Sequence, residues 1–510
     1  MLKTRDHQNL ALTAISETIK GIINYPTGTG KSLIQSRSIV DNIKLDNSNK
    51  VYVILSPRIL LSRQLLNDVH TDLVHNNIDA QYLIVNSGGT TDESEKWYKE
   101  AKKSGAIYIH RDINSTTSRF KIQEEYDKSV LENVPLIISG TYHSAKRIME
   151  SGIPVEVYHC DEAHYLVSDE FKNIVEYPSN KKYFYTATMK VTSSDDGLGM
   201  NNYDRFGEII AQKSPLEMIE AGEIIRPRMH FVDLSLHNLS GSEIDGKVIV
   251  ESFKEHVSLV SANLMGLGAK LLVTANGSEE LNKLVNHDEL IRLKENSLNL
   301  TIFDISSEYQ PRINGEVKNR KEFLDKLQAL KPEENAIIIH INILTEGIDV
   351  PGITGILPMV NLKKSKFLQT LGRSTRLFPK DRIKLYAESM IPNELEHFFK
   401  PYAWVIVPVY GDYGDDLREN LYGMIEELRS FGFDPSQDCV VKERSGKQIP
   451  VQIDLTSEPT KKTQSMLGLI DMTASVIHDI ETKEKADKLE KELFNIEHLS
   501  EEELFKLYLK

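Results

Sequence analysis

Cysteine is nearly absent from this 510-residue chain, in which Cys160 and Cys439, far apart in sequence, are the only two. That scarcity excludes a disulfide framework and a thiolate metal site, and makes a reducing cytoplasm the expected compartment. Positive charge is also in deficit: 61 Lys and Arg stand against 75 Asp and Glu, a formal net charge of -14. A whole-surface polycation that coats nucleic acid is excluded, although a local basic groove is not. Long apolar runs are missing as well. The first residues, Met1 to Gln8, hold no apolar signal core, and the most apolar stretch, 336–360, is interrupted by His340, Asn342, Glu346 and Asp349. Neither a signal peptide nor a membrane span is expected. The fifteen histidines form no metal-spaced cluster. Tryptophan is limited to Trp97 and Trp404, for which core packing is the expected role rather than stacking on bases. No short-period repeat and no low-complexity tract is present.

What remains is ample material for folding. Hydrophobic residues make up 40% of the chain and charged residues 27%, as in globular proteins, and the length exceeds one ordinary domain of about 150 residues. Short apolar runs recur at 51–56, 82–86, 106–110, 136–139, 155–160 and 183–187 between longer mixed segments. That is the α/β rhythm of a parallel sheet. It restarts after a polar stretch at 236–247, with runs at 270–275, 300–306, 336–341 and 355–360. Two successive α/β lobes follow from this pattern. Residues 86–128 are polar and read as an elaboration of the first lobe. Beyond about Lys380 the pattern loosens, and the last thirty residues read as an acidic helix with Leu489, Leu493, Ile496 and Leu499 at helical spacing.

The sharpest local signal is Tyr25-Pro26-Thr27-Gly28-Thr29-Gly30-Lys31-Ser32, between the apolar pair Ile22-Ile23 and a helix-like run, 33–43. Glycines let backbone N–H groups converge on phosphate oxygens, and the following helix adds its positive dipole end. Lys31 is placed to bridge β and γ phosphates and the Ser32 hydroxyl to hold Mg²⁺, which makes ATP the expected ligand. The strict pattern wants Gly where Tyr25 stands. The second signal is Asp161-Glu162-Ala163-His164, directly after the run 155–160. Adjacent carboxylates at the end of a buried strand are costly unless used. Asp161 would face Mg²⁺ through its water shell, and Glu162 would polarise the water that attacks the γ phosphate. Cys160 beside them reads as a small buried hydrophobe, and His164 as a polar contact between motifs.

Together these residues resemble superfamily 2 helicases and translocases of the DEAH-box type. Thr186-Ala187-Thr188 resembles the family's third motif, which implies that Thr186 and Thr188 couple hydrolysis to movement. The run from Thr345 to Pro351 resembles the fifth motif, with Gly347 and Asp349 at the nucleotide. Gln369-Thr370-Leu371-Gly372-Arg373-Ser374-Thr375-Arg376 fits the sixth motif. There Gln369 would touch the nucleotide, while Arg373 and Arg376 would reach the γ phosphate from the second lobe as a finger supplied in cis. Arg5, His7 and Gln8 stand where the superfamily places an adenine-reading segment. Ser56-Pro57-Arg58 with Gln64, and Ser139-Gly140-Thr141-Tyr142, resemble the first lobe's strand-contacting motifs, which implies that Arg58 and Thr141 hold nucleic-acid phosphates without reading bases. The segment 216–227 is similar to the inter-lobe connector of UvsW-type, RecG-type and restriction-system DNA motors.

The resemblance covers residues 5–376 and implies two tandem RecA-like parallel-sheet lobes, 1–225 and 226–400, followed by a mainly helical C-terminal region, 401–510. It implies an ATP- and Mg²⁺-dependent motor acting on nucleic acid, with branched or forked DNA as the expected partner. An RNA helicase and a translocase that never separates strands remain open. A small-molecule P-loop kinase is disfavoured by the sixth motif, and a nucleotide-gated binding protein without turnover by the presence of both Glu162 and Arg373.

Overall fold

In the computed structural model the described residues are 3–46, 50–86, 114–192, 197–233, 244–264, 266–275, 277–297, 299–306, 308–341, 350, 352–359, 364–387 and 398–409, with short pieces at 424–425, 428–429, 439–442 and 448–450. Packing divides the chain into two compact units, the first formed by 1–224, 342–351 and 365–393, the second by 225–341, 352–364 and 394–510.

The first unit is built on an eight-stranded sheet in the order β4-β3-β5-β2-β6-β7-β1-β8. Its strands are β1 (Lys20–Asn24), β2 (Val51–Ser56), β3 (Gln81–Val85), β4 (Asn114–Ser115), β5 (Leu136–Thr141), β6 (Val155–Cys160), β7 (Lys181–Thr186) and β8 (Ile209–Gln212). Every pairing among them is parallel. β2, β3, β5 and β6 are buried along their whole length, because apolar side chains point into a core on each face. One core gathers Tyr25, Ile34, Tyr52, Leu65 and Tyr183 beneath helices α1 (Asp6–Glu17), α2 (Lys31–Asp46) and α3 (Ile59–His75). The other gathers Val53, Leu83, Ile148, Cys160 and Phe184. A sheet covered on both faces is what near-continuous apolar strands require. Because all strands run the same way, their carboxyl ends share one edge: Asn24 lies opposite Thr186 and Ser56 opposite Thr141.

The second unit carries a ten-stranded sheet in the order β13-β12-β11-β14-β10-β15-β16-β9-β17-β18. These are β9 (Arg226–Asp233), β10 (Lys270–Thr274), β11 (Leu300–Ile305), β12 (Arg312–Ile313), β13 (Glu316–Val317), β14 (Asn335–His340), β15 (Gly355–Pro358), β16 (Tyr402–Val409), β17 (Cys439–Lys442) and β18 (Gln448–Pro450). β9 and β16 pair in parallel over eight residues, from Arg226 opposite Tyr402 to Asp233 opposite Val409. Thus residues 402–409, past the point where the sequence rhythm loosens, lie inside this sheet. Trp404 is fully buried there. Arg228 is accommodated because its guanidinium stacks 3.3 Å from the centre of the Tyr402 ring.

Trp97, the run 106–110, most of the 86–128 elaboration, Gly347, Asp349 and the helix expected around 489–499 lie outside the described residues, as does most of the C-terminal region expected to be mainly helical.

Candidate nucleotide site and its surroundings

The shared strand edge of the first unit gathers the sequence motifs. From β1 the chain enters the phosphate loop and then α2, whose first residue is Lys31. Tyr25, which stands where the strict pattern wants Gly, is fully buried in the core, and its hydroxyl donates to the His7 carbonyl at 2.6 Å. Its N–H donates to the Thr186 carbonyl at 3.1 Å. The Thr29 hydroxyl donates to the Pro26 carbonyl at 2.8 Å, closing the loop on itself.

Arg5, His7 and Gln8 converge on this loop. The Thr29 carbonyl accepts from Arg5 Nη2 at 2.8 Å, His7 Nε2 at 2.9 Å and Gln8 Nε2 at 3.1 Å. Gln8 Oε1 accepts from the Arg5 N–H at 3.0 Å, within a capping box at the start of α1. Glu223 pairs with the Arg5 guanidinium and lies 3.7 Å from His7 Nδ1. Burial pushes the His7 pKa down, consistent with a neutral ring that donates through Nε2. Gly30 has φ +81°, and a Cβ there would collide with the Gln8 amide. The loop conformation is therefore fixed from outside by α1 and by glycine at this position.

Lys31 Nζ donates to the carbonyls of Tyr25 and Pro26, at 2.9 and 3.3 Å. Burial lowers its pKa, the carboxylates of Glu162 and Asp161 oppose that, and Arg376 and Arg373 add to the lowering. These groups feel one another's charge.

Asp161 and Glu162 leave the end of β6. The Asp161 N–H donates to the Leu55 carbonyl at 2.8 Å, and Oδ1 accepts from Gln35 Nε2 at 3.0 Å. Burial, reinforced by the neighbouring Glu162 charge, pushes the Asp161 carboxyl up to about 7, against the pull of Lys31. Glu162 is in the left-handed region, φ +50° and ψ +48°, a conformation that non-glycine residues adopt at a cost. Its Oε2 is buried and makes no hydrogen bond among the described residues, lying 3.5 Å from His164 Nδ1.

His164 joins three motifs. Its Nε2 lies 3.4 Å from Gln369 Nε2, and its Nδ1 3.2 Å from Thr186 Oγ1. Since the Gln369 amide nitrogen can only donate, His164 Nε2 accepts from it and the network assigns the imidazole proton to Nδ1. The Thr186 hydroxyl donates in turn to the Thr188 carbonyl at 2.8 Å and accepts from the Thr188 N–H at 3.1 Å.

Helix Lys364–Ser374 carries Gln369 and Arg373, and residues 365–393 pack within the same unit as the phosphate loop. A Cβ on Gly372 would sit 2.5 Å from Thr27 Cβ, and one on Gly28 3.0 Å from Arg376 Cγ. The sixth motif thus lies directly against the loop, with Arg373 only 7% exposed. Ile224 and Arg376 form an isolated antiparallel bridge.

Arg58 and Thr141 stand apart from this centre, at the ends of the paired strands β2 and β5. Arg58 stands at the position just before α3, without a side-chain capping bond, and is exposed. Thr141 is buried, its hydroxyl donating to Ser144 Oγ at 3.1 Å.

Ser32, Asp161 and Glu162 offer the hard oxygen donors that suit Mg²⁺. The raised Asp161 carboxyl and the unsatisfied Glu162 oxygen are what such a cation and its water would relieve. Cys160 is fully buried and its thiol is pushed up to about 12 by burial, which fits a structural role. Glu223 and Gln35 were not legible as site residues. Only Gln35 carries a signal, its place four residues past Lys31 on one helical face.

The described strands and helices form a RecA-like α/β fold. Residues 1–191 match the family described as type III restriction enzyme, res subunit. No curated protein matches the sequence. Among solved structures the chain is similar to the ATP-dependent type ISP restriction-modification enzyme LlaBIII bound to DNA, at 16% identity and a TM-score of 0.58, covering 84% of this chain and 30% of that one. It is also similar to a nuclease-deletion mutant of the type ISP enzyme LlaGI with a DNA substrate mimic, at 17% identity and a TM-score of 0.53, covering 85% of this chain and 29% of that one. The chain therefore spans about a third of the length of these enzymes. A third likeness is to S. cerevisiae Dbp5 bound to RNA and ADP BeF3, at 14% identity and a TM-score of 0.50, covering 92% and 94% of the two chains.

Proposed function

We propose that the chain is an ATP-driven motor that moves along, or unwinds, DNA. The observation that carries this reading is the meeting of Lys31, Asp161, Glu162, His164, Gln369 and Arg373 at one edge of one sheet, although they come from distant parts of the sequence. In this reading Lys31 and the N–H groups of residues 27–32 bind the β and γ phosphates, while Arg5 and Gln8 act beside the adenine by holding the Thr29 carbonyl. Ser32 and Asp161 hold Mg²⁺, which when bound neutralises phosphate charge. Glu162 takes the proton of the attacking water through Oε2, which makes no hydrogen bond among the described residues. Arg373 and Arg376 stabilise the charge that develops on the γ phosphate. Gly347 and Asp349 would complete the nucleotide contacts. Thr186 and Thr188, joined to Glu162 through His164, pass the state of the nucleotide to the polymer, which Arg58 and Thr141 hold by its phosphates.

DNA is favoured because the restriction enzymes to which the chain is similar were solved with DNA or a DNA mimic, and forked or branched forms are the expected preference. RNA is the second reading, since Dbp5, similar over nearly its whole length, holds RNA. The deciding experiment measures ATP hydrolysis without polymer and with single-stranded, duplex and forked DNA and RNA. The expected result is greater stimulation by forked DNA than by RNA of equal length. Equal or greater stimulation by RNA would replace DNA by RNA.

A further inference from the structure

Tyr142 closes the segment Ser139-Gly140-Thr141-Tyr142 that resembles a strand-contacting motif, and it ties that segment to the Asp161–Glu162 pair. It follows Thr141 at the end of β5 and begins the short 3₁₀ turn Tyr142–Ser144. Its ring is 2% exposed and packs near Phe171, with ring centres 5.7 Å apart. Its hydroxyl donates to the main-chain carbonyl of Asp161 at 2.5 Å. That carbonyl belongs to the peptide between Asp161 and Glu162, and the plane of this peptide sets φ of Glu162. Glu162 holds φ +50°, a left-handed value that persists only where its surroundings impose it. The Asp161 N–H is fixed from the other side by the Leu55 carbonyl.

We propose that Tyr142 is a positioning residue that holds the Asp161–Glu162 peptide so that the Glu162 carboxylate is correctly aimed, and that it transmits contact of nucleic acid with the Thr141 turn to that carboxylate. The second half rests on the polymer reading given above. A phosphate engaging Thr141 competes for the hydroxyl that now donates to Ser144. A shift of that turn moves the Tyr142 oxygen, and with it the peptide it holds. Burial raises the phenol's pKa well above its ordinary value, so the group stays a donor at any working pH.

The test is Tyr142→Phe, which keeps the ring in its pocket and removes only the hydroxyl; an unchanged melting temperature checks the fold. Steady-state hydrolysis is measured with and without forked DNA and RNA, together with polymer binding. The expected result is a fall in kcat of roughly tenfold, as for loss of one orienting hydrogen bond, larger with polymer than without. The KM for ATP and the polymer Kd should stay within about twofold. A kcat within twofold of wild type overturns the proposal, and an equal fall with and without polymer overturns its transmitting half. If no polymer stimulates the wild type, the motor reading and the transmitting half both fail. The rate without polymer then decides the positioning half: a tenfold loss in Tyr142→Phe upholds it, and an unchanged rate overturns it.

Discussion

At the scale of single residues, the two charged partners of the loop should fail in different ways. Lys31→Ala removes the buried ammonium and should weaken ATP binding about 10- to 100-fold, the worth of a hydrogen bond to a charged group. Glu162→Gln keeps the shape and loses the base, so kcat should fall about 10²- to 10⁴-fold while nucleotide binding holds. Equilibrium binding of a fluorescent ATP analogue to both variants separates these outcomes, and equal loss of affinity would contradict the assigned roles. Arg373→Lys keeps charge but not planar geometry, so hydrolysis should fall by about 10³ with little change in affinity. Near-normal turnover in that variant would remove Arg373 from the transition state. The residues proposed to carry this chemistry stand out in the sequence because phosphate binding and water activation restrict residue type and spacing. Glu223 was not, since its partner Arg5 lies 218 positions away and no local pattern marks an ion pair of that kind.

At the scale of elements, β2 and β6 fall where the apolar runs 51–56 and 155–160 placed them, because strands buried on both faces leave an unbroken apolar signature. β9 escaped for the opposite reason. Arg226, Arg228, His230 and Asp233 break its run, and the stacking that makes Arg228 tolerable depends on Tyr402, a residue no window around β9 contains. β16 was hidden in the same way, since among the described residues it pairs at length with that unrecognised strand. Three elements bury a histidine whose pKa burial pushes down to about 3: His70 in α3, His159 in β6 and His256 in helix Ile244–Asn263. Each is neutral in the folded chain and takes up a proton near pH 6.5 when unfolded. Between these values the unfolded state binds more protons, so stability is intact above about pH 6.5 and falls as pH drops toward 3. Urea unfolding at a series of pH values should show that slope, and His159→Gln with His256→Gln should flatten it. A slope unchanged by the pair would mean that other groups govern acid unfolding.

At the scale of the whole molecule, a net charge of -14 sets the terms on which the proposed nucleic-acid partner would be held. The overall field repels phosphates, so the proposed reading requires a local groove of basic and hydroxyl groups, with Arg58 and Thr141 proposed among them, that contacts backbone rather than bases. Affinity should therefore drop steeply with salt, by about one unit of log–log slope for each phosphate neutralised, and should hardly vary with base sequence. Filter binding at several salt concentrations on unrelated sequences checks both.

If hydrolysis at this site drives movement on nucleic acid, the motion is read by strand displacement from a fluorescently labelled forked DNA, or of a third strand from a triplex. Displacement is expected from the wild type with ATP and Mg²⁺, and not with a non-hydrolysable analogue or from Glu162→Gln. ATP hydrolysis that never displaces a strand, or displacement that proceeds without hydrolysis, would contradict the claim.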